Sequence, residues 1–278
     1  MRLAFDRIGS GEPLVLLHGV GHRRQAWRPV VDQLAEHREV ILLDLPGHGE
    51  SDPLVTDGRP LADVLREVFR QFLADQQLDR PHLAGNSLGG RIALEAGAAG
   101  DARSVTAFAP AGFWRTDRAF GYTRRLFRTM SRLSRVLEPQ AERLSRTTSG
   151  RALAYGWITA HPGRIPPEQA LADFRAFRRA EPALHEIVGA ASRFTERVPD
   201  DVPVTVAWGT RDVVMLRTQA RRARMLLPRG EHVLLRSCGH VPMTDAPDQV
   251  AEIILRGSSR TAAPDVASGA SGGSEPAG

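Results

Sequence analysis

The sequence predicts an α/β protein: an open, mostly parallel sheet with helices on both faces and a helical cap inserted between two strands. Three observations carry that expectation. Short continuous apolar runs alternate with stretches of helical spacing. The alternation stops between residues 113 and 198, where only helical patterns occur, and then resumes. The residues least suited to a plain core, His18-Gly19, Asp44 and Ser87, stand where apolar runs end. Open parallel sheets build their sites at those carboxyl ends.

In chain order, residues 3–8 read as a short strand closed by Gly9-Ser10-Gly11. Leu14-Val15-Leu16-Leu17 is apolar without alternation, as in strands buried on both faces. Trp27, Val30, Val31 and Leu34 follow at helical spacing. Val40-Ile41-Leu42-Leu43 is a second buried run, and it opens into a loop from Asp44 to Asp52. Leu61, Val64, Leu65, Val68, Phe69, Phe72 and Leu73 mark an amphipathic helix. The run His82-Leu83-Ala84 enters Gly85-Asn86-Ser87-Leu88-Gly89, and a helix-compatible stretch, residues 91–96, follows at once. Val105-Thr106-Ala107-Phe108 is a further strand. The cap then carries Phe120, Leu126, Phe127, Met130 and Leu133 on one helix and Phe174, Phe177, Leu184 and Ile187 on later ones, with Pro162 and Pro166-Pro167 as breaks. The sheet resumes with Val204 to Trp208, a helix over 218–227, the strand Val233-Leu234-Leu235 and a closing helix with Val250, Ile253 and Ile254. The expected organisation is a first core segment, 1–112, the cap, 113–198, a second core segment, 199–256, and a Gly/Ser/Ala-rich disordered tail, 257–278.

Ser87 is the most informative residue. A strand turning sharply into a helix crowds the backbone, and Gly85 and Gly89 remove side chains on both sides of the corner. The serine then sits in a strained conformation with its hydroxyl facing out, beside the unpaired first amides of a helix. By itself the pentapeptide is equally a Gly-rich turn.

Composition narrows the class. A chain of 278 residues, 42% hydrophobic and 25% charged, suits one sizeable domain with an insertion. All 37 basic residues are arginine, and the formal charge is +5. A basic balance raises nucleic acid as a partner, but no binding signature accompanies it, and a compositional bias toward Arg, Ala and Gly explains it. The single Cys238 excludes an internal disulfide and a multi-thiolate metal site, which points to a reducing, cytoplasmic setting. No apolar signal segment opens the chain, and no run reaches membrane-spanning length.

Five pieces together resemble the α/β-hydrolase family, over roughly residues 3–255: His18-Gly19-Val20-Gly21, the loop from Asp44 to Asp52, Gly85-Asn86-Ser87-Leu88-Gly89, Trp208-Gly209-Thr210-Arg211-Asp212 and Gly239-His240. They stand in the family's order of nucleophile, acid and histidine. The resemblance implies that Ser87 is the nucleophile, His240 its general base and Asp212 the carboxylate that orients the imidazole. Asp44 and Asp117 are rival acids, Asp44 being expected to support its loop and Asp117 to lie in the cap. The resemblance also implies an oxyanion hole from the backbone N–H groups of Val20 and Leu88, with His18 a structural part of that turn. His18 and His22 have metal-ligand spacing only on a helix, which the intervening glycines oppose. Cys238 lacks an elbow of its own and reads as a buried small residue.

Trp114, Phe113, Met130 and Val241 are the candidate substrate contacts, with ordinary packing the competing reading for each of the cap residues. The pairs Arg124-Arg125 and Arg178-Arg179 would suit an anionic substrate or a solvated helix face. A serine nucleophile disfavours epoxide and haloalkane chemistry. The expectation is carboxylesterase-like hydrolysis of a small-molecule ester, thioester or lactone through an acyl-enzyme on Ser87, with no cofactor, metal, nucleic acid or membrane. Carbon–carbon hydrolysis of ring-fission products, suggested by Gly-Asn-Ser, and cofactor-free perhydrolysis are alternatives on the same triad. Relatives with the first activity tend to carry an aromatic after the histidine, where this chain has Val241. A non-catalytic binding protein on this fold is a third alternative.

Overall fold

The computed structural model describes residues 1–260. Seven strands form one sheet in the order β1-β3-β2-β4-β5-β6-β7. They are β1 (Phe5–Ile8), β2 (Pro13–Leu17), β3 (Glu39–Leu43), β4 (His82–Asn86), β5 (Ser104–Phe108), β6 (Val204–Gly209) and β7 (Glu231–Leu235). Only β1 is antiparallel, pairing Phe5 with Leu43 through Ile8 with Val40. Every other pair is parallel. The sheet is the mostly parallel one expected, and all seven expected strands are present. The central strands β4, β5 and β6 are buried along their whole length, which is why their sequences show no alternation. At the edge, β7 leaves Leu234 exposed.

Helices α1 (Arg28–Ala35), α2 (Leu61–Asp75), α3 (Leu88–Ala98), α9 (Arg217–Leu226), α10 (Pro242–Asp245) and α11 (Pro247–Ser258) surround the sheet. Two glycines show how both faces are covered. Gly97 of α3 abuts the Val105 side chain, and Gly257 of α11 abuts that of Thr106. Adjacent strand residues point to opposite faces, so α3 and α11 cover opposite sides of β5. Gly257 and Ser258 are buried in the last turn of α11. This corrects the expected start of the tail: the closing helix needs both residues to finish its packing on β5. Residues 261–278 of the expected tail lie outside the described residues.

Between β5 and β6 the chain forms α4 (Asp117–Leu137), α5 (Ala141–Arg146), α6 (Thr148–Tyr155), α7 (Pro167–Arg179) and α8 (Glu181–Ala190), with no strand among the described residues. Thr116 caps α4 by accepting from the Ala119 N–H, and Asp117 adds a negative charge to its first turn. Pro167 opens α7, where its missing N–H costs nothing.

Candidate active site

The site begins at the carboxyl end of β4. Strand β4 ends at Asn86 and α3 begins at Leu88, so Ser87 alone makes the turn. It adopts φ 55° and ψ −110°, a region that costs a residue with a Cβ on the order of 1–3 kcal/mol. Its surroundings enforce this. A Cβ on Gly85 would overlap the Gly89 carbonyl, and one on Gly89 would overlap the Leu17 carbonyl. The Ser87 N–H donates to the Phe108 carbonyl at 2.9 Å, and its own carbonyl accepts from Arg91 and Ala111, each at 3.0 Å. The serine is therefore pinned between β5 and the first turn of α3.

Asp212 stands in the turn after β6 and His240 in the loop after β7. The Asp212 side chain is wholly buried. Its Oδ1 accepts from the N–H groups of Val214 and Met215, both at 2.8 Å. Its Oδ2 lies 2.9 Å from His240 Nδ1. A carboxylate only accepts, so the Nδ1 carries a proton, and in the neutral imidazole the Nε2 then presents its lone pair. That Nε2 is buried and has no hydrogen-bond partner among the described residues. His240 and Ser87 line the same cavity.

Two residues that the sequence reading passed over hold the histidine loop. The Asn86 side-chain amide donates to the His240 carbonyl at 2.9 Å and to the Phe108 carbonyl at 3.2 Å. Asp245 accepts from the Gly239 N–H at 2.7 Å, the Ala160 N–H at 2.9 Å and the His161 N–H at 2.8 Å. The Val241 N–H completes the tie, donating to the Ile158 carbonyl at 2.8 Å. Asn86 could have been suspected from its place beside Ser87. Asp245 carries little local signal, because the Ala160 and His161 N–H groups that it accepts from lie 85 and 84 residues away.

The loop after β2 passes directly over Ser87: a Cβ on Gly19 would stand 3.3 Å from the Ser87 Cβ. In that loop the Gly21 N–H donates to His48 Nε2 at 2.9 Å, and the His22 N–H to the Gly19 carbonyl at 3.1 Å. The N–H of Leu88 is the first of α3 and has no intrahelical acceptor. His18 accepts the Leu45 N–H on Nε2 at 3.0 Å, and its Nδ1 lies 2.8 Å from the Gly19 carbonyl. It is a neutral spacer between two loops, and burial, with His48 close by, holds it well below the usual histidine range. His48 is likewise neutral, pushed down to about 4 by burial.

The rival acids are accounted for. Asp44 accepts the Arg24 N–H at 2.6 Å and the Glu50 N–H at 3.0 Å, so it supports its loop. Asp117 is exposed at the start of α4. Of the candidate substrate contacts, Met130 and Val241 line the cavity shared by Ser87 and His240. Trp114, stacked on Phe120 at 3.9 Å, lines a second cavity that also reaches Ser87. Phe113 lines neither. It is fully buried against Phe194 at 5.4 Å, because the chain leaving β5 must first seal the sheet before it can enter α4. Cys238 is buried, its thiol pushed up to about 11 by that burial, and it lines neither cavity. Arg178 pairs with Glu138 and Glu181, and Arg124 lies over the Phe120 ring at 5.3 Å. Among the described residues, no three His, Cys, Asp or Glu side chains gather as a metal site, and no helix is long and apolar enough to cross a membrane.

With a strained serine at the centre of this sheet and a buried histidine–aspartate pair above it, the class is that of a hydrolase. Residues 14–253 match the alpha/beta hydrolase family, and the chain belongs to it. It is 30% identical over 257 residues to the dihydrolipoyllysine-residue acetyltransferase component of the acetoin cleaving system of Pseudomonas putida. That match covers 88% of this chain but only 63% of the longer relative. A shorter stretch of 99 residues is 39% identical to a pimeloyl-[acyl-carrier protein] methyl ester esterase of Legionella pneumophila (strain Corby), covering 34% of this chain and 37% of that one. Among solved structures, the enol-lactonase from Burkholderia xenovorans LB400 superposes with a TM-score of 0.71 at 18% identity, over 91% of this chain and 95% of its own.

Proposed function

We propose that the protein is a carboxylesterase-like serine hydrolase acting on a small-molecule ester, thioester or lactone, with residues 113–198 as the cap that shapes its pocket. The observation that carries this reading is the ordered pair Asp212–His240, bonded at 2.9 Å, whose unpartnered Nε2 shares a cavity with Ser87. A serine hydroxyl attacks poorly at neutral pH and needs a base within reach. His240 takes the proton from Ser87 Oγ as that oxygen bonds to the substrate carbonyl carbon. The carbonyl oxygen becomes an oxyanion and accepts from the Val20 and Leu88 N–H groups, each such donor being worth about 3 kcal/mol in the transition state. His240 then gives its proton to the leaving group as the scissile bond breaks. Water enters, loses a proton to His240 and attacks the acyl-enzyme. Ser87 leaves and recovers the proton. Asp212 holds the tautomer and stabilises the imidazolium throughout.

The test is active-site labelling with a fluorophosphonate. The wild type should lose activity with one covalent adduct on Ser87, and Ser87→Ala should take up none. A folded wild type that stays unlabelled and hydrolyses no p-nitrophenyl ester would refute the reading.

A further inference from the structure

Ser87 borders both cavities, and they share only Val20, Ser87 and Phe127. The first contains His240 and Val241. The second contains Leu88, the start of α3, and lacks His240. Acyl transfer makes these two spaces unequal. The leaving group receives its proton from His240 Nε2, so it must lie on the His240 side of the reacting carbon. The hydrolytic water later stands in the same place and gives its proton to the same nitrogen. The acyl group, which stays bonded through both steps, must occupy the other side.

We infer that Ser87 divides a two-armed substrate cavity: the uncharged apolar acyl group of an ester or thioester lies in the arm lined by Leu65, Ile92, Trp114 and Ile187, an aromatic or long apolar leaving group lies in the arm beside His240, and Phe127 is the wall between them. This assignment rests on the serine-hydrolase reading above and adds the substrate's two halves to it.

The lining of each arm supports its occupant. The acyl arm contains two charged groups, Arg91 and Glu95. Arg91 is already engaged: it donates to Glu95 at 2.6 Å, to Glu196 at 3.4 Å and to the Ser192 carbonyl at 3.3 Å, and it lies over the Phe194 ring at 5.1 Å. A carboxylate on the acyl tail would find no free cation there and would face Glu95. The leaving-group arm is walled by Phe127, Trp157 and Phe177, with successive rings edge-on at 5.4 and 6.2 Å. Such a run of exposed ring edges and faces suits an aromatic or extended apolar group. A surface cleft beside α7 adjoins this arm, and His22, Tyr155, Asp173 and Val241 line both.

The two steps of the reaction separate the arms experimentally. Deacylation depends on the acyl group alone, since the leaving group has gone by then. Val188→Phe narrows the acyl arm and Met130→Trp the leaving-group arm, and both positions are only half-buried, so the fold should tolerate the change. The hexanoyl-enzyme is formed from p-nitrophenyl hexanoate with enzyme in excess, and its decay is followed by intact mass. Val188→Phe should slow that decay about tenfold while sparing the acetyl-enzyme. Met130→Trp should leave both decays within about twofold and lower kcat/KM about tenfold for 2-naphthyl hexanoate against methyl hexanoate. Wild type should prefer p-nitrophenyl hexanoate over the mono-p-nitrophenyl ester of adipate by at least about tenfold. Crossed effects, with Met130→Trp slowing decay and Val188→Phe not, overturn the assignment, as does the absence of any chain-length effect of Val188→Phe. Preference for the adipate ester overturns the uncharged acyl arm. If Ser87 takes up neither acyl group nor fluorophosphonate, the underlying hydrolase reading fails instead.

Discussion

Ser87, Asp212 and His240 each owe their position to neighbours that do no chemistry themselves. Asp212 uses one oxygen to accept two backbone N–H groups and the other to hold His240. Asp212→Asn keeps the shape but can donate to Nδ1, favouring the wrong tautomer. The expected result is a loss of about 10³–10⁴-fold in kcat with an unchanged circular dichroism spectrum and Tm. On the proposed hydrolase reading Asn86, whose amide donates to the His240 carbonyl, is a positioning residue. Asn86→Ala should lower kcat on the order of 10²-fold by letting the His240 backbone drift, while fluorophosphonate still labels Ser87 slowly. A kcat within twofold of wild type would mean that the loop holds itself.

Among the elements, the loops decide most. The histidine loop is fastened to residues 158–161 by Asp245 and the Val241 N–H. Asp245→Ala strips acceptors from three N–H groups and should cost about 2–4 kcal/mol, read as a lower urea midpoint. Activity should fall with it, because the same contacts align His240. The loop after β2 is held differently, by neutral histidines. His48 titrates near 4 when folded, against about 6.5 in an unfolded chain. Its contribution is therefore complete above pH 6.5 and is lost as pH falls toward 4, because only the unfolded chain takes up the proton. Each unit of acidification in that window should cost up to about 1.4 kcal/mol from this residue. His18 shifts in the same direction. Thermal melts from pH 7 to 4.5 should show the decline, and His48→Gln should flatten part of it.

For the whole molecule, the sheet and the helices around it are legible in the sequence for a simple reason. A strand buried on both faces is largely apolar and shows no alternation, and the alternation of such runs with helical spacing leaves few other folds. The corner at Ser87 is legible because Gly85 and Gly89 answer to local sterics. The order of Ser87, Asp212 and His240 along the chain is legible through the resemblance to the α/β-hydrolase family, and each stands after a readable strand. The helical segment from Asp117 to Ala190 is legible only as helix. Which of its apolar residues seal the core and which face the cavity is not written in their spacing. Phe113 and Trp114 are neighbours of similar character, yet one is buried against Phe194 and the other lines a cavity beside Ser87. Asn86 and Asp245 escaped for a related cause: most of their partners lie far off in sequence, and nothing in the neighbouring residues announces them. By itself, then, the sequence determined the sheet and the strained serine, because burial and local sterics act on each stretch separately, while Asp212 and His240 were marked as its partners only by the resemblance to the α/β-hydrolase family. The two arms that meet at Ser87, the wall that Phe127 makes between them and the ties that align His240 were decided only in the tertiary structure, because they are contacts between segments that share no local pattern.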